Sequence, residues 1–220
     1  MARARPTTAA AQAYADAPVP SGRLDWREAS WAVVDLETTG LDPAQDEIVS
    51  VAVVPVDGGR VSPGAGIYRL VRPARELTEA SIRIHGIRPA DLEQAPPLDA
   101  VLDDVLGALA GRLLVAHAAF VERGFLEPAF AARGLAFPAR IADTRALGRV
   151  WLAERDHAAV PASLGLSELA SRLGLPTHRP HHALGDALTT AQVFLAVATH
   201  LEQRGKLLVK TVMTLSRERR

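Results

Sequence analysis

Two carboxylates stand one residue apart in Asp35-Leu36-Glu37, at the end of the apolar run Trp31 to Glu37. Side chains two apart on a strand share a face, so Asp35 and Glu37 project together and Leu36 points to the opposite side. Two such charges about 4 Å apart, at an effective dielectric near 20, repel by on the order of 4 kcal/mol. A divalent cation or a raised pKa relieves that repulsion; a strand end pointing to water, with nothing bound, is the plainer alternative for so common a pattern. A third acid, Asp186, falls in the first turn of the last long helix, where the helix dipole favours a carboxylate. His181 lies five residues earlier, after Pro180, on the loop that feeds this helix. Five helical positions are about 140° of rotation, so His181 and Asp186 present different edges and serve separate roles. Imidazole titrates near neutrality and suits proton transfer. His182 reads as a surface neighbour, and His157, His178 and His200 as ordinary surface or loop residues.

The elements that must position these groups are legible in the pattern. Trp31 to Glu37 reads as a strand entering the turn Thr38-Thr39-Gly40, Glu47 to Val56 as a second strand, and Gly66 to Val71 as a third, with Asp57-Gly58-Gly59 as a hairpin turn. Leu98, Val101, Leu102, Val105, Leu106 and Leu109 recur at helical spacing. Arg112 to His117 is a short buried strand, Phe120 to Arg133 a helix stopped by Gly134, and Arg140 to Thr144 another short strand, with Asp143 or Thr144 as the cap of the next helix. Further helices run through Trp151, over Leu164 to Leu173, and from about Ala183 to Gln203. Three antiparallel strands followed by alternating helices and strands predict one α/β domain, a mixed sheet with helices on its faces, over residues 26–203. Residues 1–25, rich in Ala, Pro, Ser and Thr, read as a disordered tail. Residues 204–220 read as a basic tail, either solvated or touching a nucleic-acid backbone or a partner. Trp26, Trp31 and Trp151 read as packing residues.

Composition bounds the chemistry. The chain has 220 residues, 25 basic and 25 acidic side chains, and no cysteine. Zero net charge argues against a protein held on nucleic acid by bulk charge, yet allows an enzyme that grips one strand end through metal ions. Without cysteine there are no disulfides, thiolate zinc sites or cysteine nucleophiles. The longer apolar stretches are interrupted, as by Arg112 and His117, so no membrane span and no secretory signal is expected; the cytoplasm is the default.

The string after the first acid pair is rare. WAVVDLETTGLDP, His85-Gly86-Ile87 and HHALGDALTTAQVF from His181 to Phe194 together resemble the DEDDh exonucleases, the family of the proofreading (epsilon) subunit of bacterial DNA polymerase III. The resemblance covers roughly residues 28–200. It departs at the second motif, where HNAxFDxxFL becomes His117-Ala118-Ala119-Phe120-Val121-Glu122-Arg123-Gly124-Phe125-Leu126: Ala118 replaces Asn, and Glu122 replaces the third acid. The resemblance implies a ribonuclease H-like fold and a 3′→5′ exonuclease with two Mg²⁺ or Mn²⁺ ions held by Asp35, Glu37, Glu122 and Asp186. It also implies His181 as general base, and Thr38, Leu41 and His85 against the terminal nucleotide. The implied substrate is a single-stranded or frayed 3′ end of DNA, in proofreading or repair, with a DNA polymerase as partner and release of nucleoside 5′-monophosphates. An RNA-end trimmer resembling ribonuclease T or oligoribonuclease is the alternative within the class; a non-catalytic polymerase- or nucleic-acid-binding module is the alternative outside it.

Overall fold

The computed structural model describes residues 5–156, 161 and 163–217; the expectation for His157 lies outside them. In chain order the elements are α1 (Ala9–Asp16), β1 (Trp31–Thr38), β2 (Ile48–Asp57), β3 (Arg60–Val61), β4 (Ile67–Leu70), α2 (Glu79–His85), α3 (Pro89–Leu92), α4 (Leu98–Leu109), β5 (Leu113–Ala116), α5 (Phe120–Ala132), β6 (Ala142–Asp143), α6 (Thr144–Asp156), α7 (Leu166–Arg172), α8 (Ala183–Glu202) and α9 (Val209–Leu215).

β1 is the spine. It pairs antiparallel with β2 on one side and parallel with β5 on the other, giving the order β3-β2-β1-β5-β6, with β4 also on β2. The expected third strand, Gly66 to Val71, is β4, and a two-residue strand that was not expected, β3, precedes it. β3 and β4 both pair antiparallel with β2, separated by a 3₁₀ turn at Pro63–Ala65, where proline's missing N–H cannot serve the ladder.

Strand alternation divides β1 between two cores. Trp31 and Val33 enter a cluster with Ala187, Ala191, Phe194 and Val197 of α8. Ala32, Val34 and Leu36 enter the other, with α4 and Leu126 and Phe130 of α5. Helices thus cover both faces, as expected, and Trp26, Trp31 and Trp151 are packed within the first core.

The described residues of both expected tails are structured instead. Thr8 caps α1 through Ala11 N and donates to Asp103 on α4, and Tyr14 sets its ring edge-on to Phe130 at 5.4 Å. Trp26 N bonds to Leu207 O, Val209 N to Leu24 O and Lys210 N to Gly22 O, so residues 22–26 run along 207–210. Val209, Val212 and Met213 of α9 are buried in the first core. The Ala-rich α1 offers little apolar periodicity, and the zipper between the two terminal segments joins residues about 185 positions apart, beyond any local pattern. Among the described residues no helix is long and apolar enough to cross a membrane.

Tyr14→Ala should destabilise the fold by about 2 kcal/mol, because it removes a ring packed against the second core. Urea unfolding measures this; an unchanged midpoint would mean that α1 contributes nothing.

Candidate active site

Asp35 and Glu37 continue the face of β1 that presents Trp31 and Val33 to α8. After Glu37, which faces Ser50, the register slips so that Thr38 faces Ile48; such an irregularity bends and twists the strand where it leaves the sheet. The loop that follows is closed on itself. Asp46 accepts from Thr39 Oγ1 and Asp42 N, both at 2.9 Å, and Thr39 Oγ1 accepts from Glu47 N at 3.0 Å. A Cβ at Gly40 would meet the Asp46 carboxylate, which would have to shift out of these hydrogen bonds. Thr38 Oγ1 donates to Gly40 O, and Leu41 is left at the tip, 78% exposed.

α8 brings the third acid. Gly185 lies so close to the carbonyls of His178 and Arg179 that no side chain fits, and this seats the first turn of α8. Asp186 Oδ2 accepts from His181 N at 2.8 Å. Arg179 and His181 sit at φ +35° and +58°, a region that L-residues occupy at a cost and that clusters at functional sites. The His181 side chain is exposed. His182 is not a free surface residue: it is half-buried and stacks on Tyr68 of β4 at 4.7 Å.

Asp35, Glu37 and Asp186 each offer an oxygen within 4.8 Å of the others. Burial raises the Asp35 pKa well above the carboxylate range, reinforced by the charges of Glu122, Asp186 and Glu37. Burial and then Asp186 lift Glu37 to about 7. Burial also raises Asp186, against the hydrogen bond and charge of His181. This convergence of hard oxygen donors fits a divalent cation.

Glu122 stands in the first turn of α5, outside the tight triad but close enough for its charge to act on Asp35. Its carboxyl is buried, Oε2 has no hydrogen-bond partner, and its pKa is pushed to about 8, chiefly by burial, eased by its own backbone N–H and raised further by Asp143. The loop before it is set by Asp143 at the end of β6. That carboxylate accepts from Ala118 N (3.1 Å), Ala119 N (3.0 Å) and Arg145 N (2.8 Å), capping α6 and holding Ala118 at φ +61°. The cap was expected; the reach back to the second-motif loop was not, because it spans 25 residues. His117 is a structural histidine, with Nδ1 paired to Thr144 Oγ1 and Nε2 to Leu164 O.

Of the sequence-derived candidates, the structure thus gathers Asp35, Glu37 and Asp186, sets Glu122 beside them, and ties His181 to Asp186. Thr38 ends β1 directly after Glu37, and Leu41 lies exposed on the loop that follows. His85 ends α2, buried; its Nδ1 accepts from Ile87 N at 3.0 Å and its Nε2 has no partner, and no hydrogen bond joins it to the carboxylates.

Residues 32–194 match the exonuclease family RNase_T. A DNA polymerase III of the PolC type from Thermotoga maritima is 35% identical over 179 residues, 81% of this chain and 12% of that protein. A DNA polymerase III subunit epsilon-like protein from Rhodobacter capsulatus is 35% identical over 189 residues, 84% of this chain and 26% of that protein. The chain therefore spans only 12% and 26% of the length of these two relatives. Among solved structures, Exonuclease X in complex with 5′ overhanging duplex DNA superposes with a TM-score of 0.63 at 22% identity, over 85% of this chain and 99% of that one. E. coli Exonuclease I in complex with a dT13 oligonucleotide gives 0.66 at 17% identity, over 80% of this chain and 42% of that one. The fold is the ribonuclease H-like one that the motifs implied.

The crowded carboxylates set a pH dependence. A carboxyl whose pKa is raised on folding keeps its proton longer in the folded chain than in the unfolded one. Stability then falls as pH rises from about 4.3, the unfolded value, through the folded values near 7 and 8. The metal-free melting temperature should drop between about pH 5 and pH 8, Mg²⁺ or Mn²⁺ should raise it most at the upper end, and Asp35→Asn should flatten the slope. Scanning fluorimetry checks this; a metal-free melting temperature that climbs across the window would overturn the crowding.

Proposed function

The chain belongs to the exonuclease family matched by its residues 32–194, and from that premise we propose that it is a 3′→5′ exonuclease acting on a single-stranded or frayed DNA end in proofreading or repair. The observation that carries this reading is the convergence of Asp35, Glu37 and Asp186 within 4.8 Å, with His181 bonded through its backbone to Asp186. These three carboxylates would hold a divalent cation, Mg²⁺ or Mn²⁺, with Asp35 shared with a second ion and Glu122 assisting. Such ions supply Lewis acidity at the scissile phosphate, a lowered pKa for the attacking water and stabilisation of the leaving 3′ oxygen.

The chain's own residues do the rest. The exposed imidazole of His181 takes a proton from water as its oxygen bonds to phosphorus. The bond from phosphorus to the 3′ oxygen breaks, that oxygen gains a proton, and a nucleoside 5′-monophosphate leaves. Leu41 offers an apolar tip to the terminal base, Thr38 adjoins Glu37 in the chain, and His85 keeps a buried Nε2 with no hydrogen-bond partner. The likeness to PolC-type polymerases and to an epsilon-like subunit supports a DNA polymerase as partner and a cytoplasmic setting.

A labelled single-stranded oligonucleotide with Mg²⁺ or Mn²⁺ should be shortened stepwise from its 3′ end, and EDTA should stop it. Asp35→Asn and Asp186→Asn should lower kcat by about 10³-fold or more, and His181→Ala by about 10²–10⁴-fold. Glu122→Asp should retain or raise activity. Parallel DNA, RNA and mismatched-primer substrates distinguish proofreading from RNA trimming. No mononucleotide release even with Mn²⁺ would replace the enzyme with a binding module.

A further inference from the structure

A cleft of about 480 Å³ opens beside the start of α5, walled by that helix, the segment entering β6, and α9. Arg123, Arg140 and Arg217 line it, and its one acid, Asp143, already accepts three backbone N–H groups. Arg123 braces the wall: it donates to Pro138 O and Ala139 O and lies over the Phe137 ring at 5.3 Å. Arg140 and Arg217 are exposed and make no ion pair among the described residues. At the rim Phe120 is 59% exposed, with the Arg145 guanidinium 5.4 Å from its ring.

In a chain of zero net charge this is a local concentration of guanidinium groups, and the N-terminal end of α5 adds its partial positive charge. Guanidinium forks match phosphate oxygens, and an exposed ring stacks on bases whatever the sequence. The cleft also adjoins the carboxylate pocket. Asp143 lines the cleft while its charge acts on Glu122, which follows Phe120 by two residues. The wall bearing Arg217 lies beyond the span matched by the exonuclease family, residues 32–194.

We infer that this cleft holds the phosphodiester backbone of the substrate strand on the 5′ side of the nucleotide being removed, with Arg140 and Arg217 as phosphate contacts and Phe120 as a base platform. The inference rests on the exonuclease reading only in taking a nucleic-acid strand as substrate. It is tested with Arg140→Ala/Arg217→Ala and Arg140→Glu/Arg217→Glu, both sites being exposed, with melting temperature as the fold control.

Fluorescence anisotropy with a labelled DNA of about twenty nucleotides, in EDTA to prevent turnover, should show Kd raised on the order of tenfold in the alanine pair, and further in the glutamate pair. The slope of log Kd against log salt should fall by about 1.4, two contacts at about 0.7 each on a single strand. In turnover, KM should rise more for the long strand than for a dinucleotide, whose sole phosphodiester is the one cleaved. If the variants bind the long strand as the parent protein does, with an unchanged salt slope, the cleft is not a backbone site, and cleavage by the parent leaves the exonuclease reading standing. Arginine-dependent binding without any cleavage would do the reverse.

Discussion

Carboxylates from three elements lean on one another at the end of β1, and the fold must hold them together against their own repulsion. Nothing in the site relieves that repulsion fully: Asp186 has one backbone N–H, and Glu122 has a buried oxygen with no partner. The neighbouring structure supplies the restraint. Trp31 and Val33 anchor β1 against Ala187, Ala191 and Phe194, so the apolar contact that makes α8 dock is the same contact that brings Asp186 to Asp35 and Glu37. Hydrophobic burial is non-directional; here strand alternation and the seat of Gly185 give it direction. The raised pKa values come first from burial and then from that repulsion, and the gathered oxygen donors fit a hard dication.

The second motif shows how a site accommodates change. Ala118 sits at φ +61°, a conformation that Asn tolerates far better than Ala. The cost is borne because Asp143 binds the N–H groups of Ala118 and Ala119 at once. Asp143 is thus a positioning residue: it fixes the loop from which α5 starts, and hence the point from which Glu122 reaches. The extra methylene of Glu relative to Asp carries the carboxyl further from its helix, and Oε2 of this longer side chain is buried without a partner.

How far the sequence disclosed this depended on distance along the chain. Asp35 and Glu37 could be paired from strand alternation, and Asp186 placed at a helix start from its local pattern. Their meeting rested on resemblance, since no local signal states that residues about 150 apart touch. Asp143 was legible as a cap of α6 but not as the acceptor for Ala118. His182 was read as surface because nothing near it announces Tyr68, brought alongside only when β4 pairs with β2. The terminal segments were misread for the same reason: α1 buries one alanine completely and few large residues, and its stability comes from Asp103, Arg133 and Phe130, all distant in sequence.

Those terminal segments also bear on chemistry they do not perform. Residues 22–26 hold residues 207–210 by backbone hydrogen bonds, and Trp26 meets Phe194 edge-on at 5.8 Å. This clamp fixes α9 against the core, and α9 fixes where Arg217 stands. A protein with equal numbers of acidic and basic side chains does not attract a polyanion by its overall field. It can still hold one if cations are concentrated where phosphates pass: dications among the carboxylates, guanidinium groups in the adjoining cleft. On the proposed reading, neutral composition and a polyanionic substrate are reconciled by placement, and the terminal zipper is what sets α9 where the second of those placements needs it.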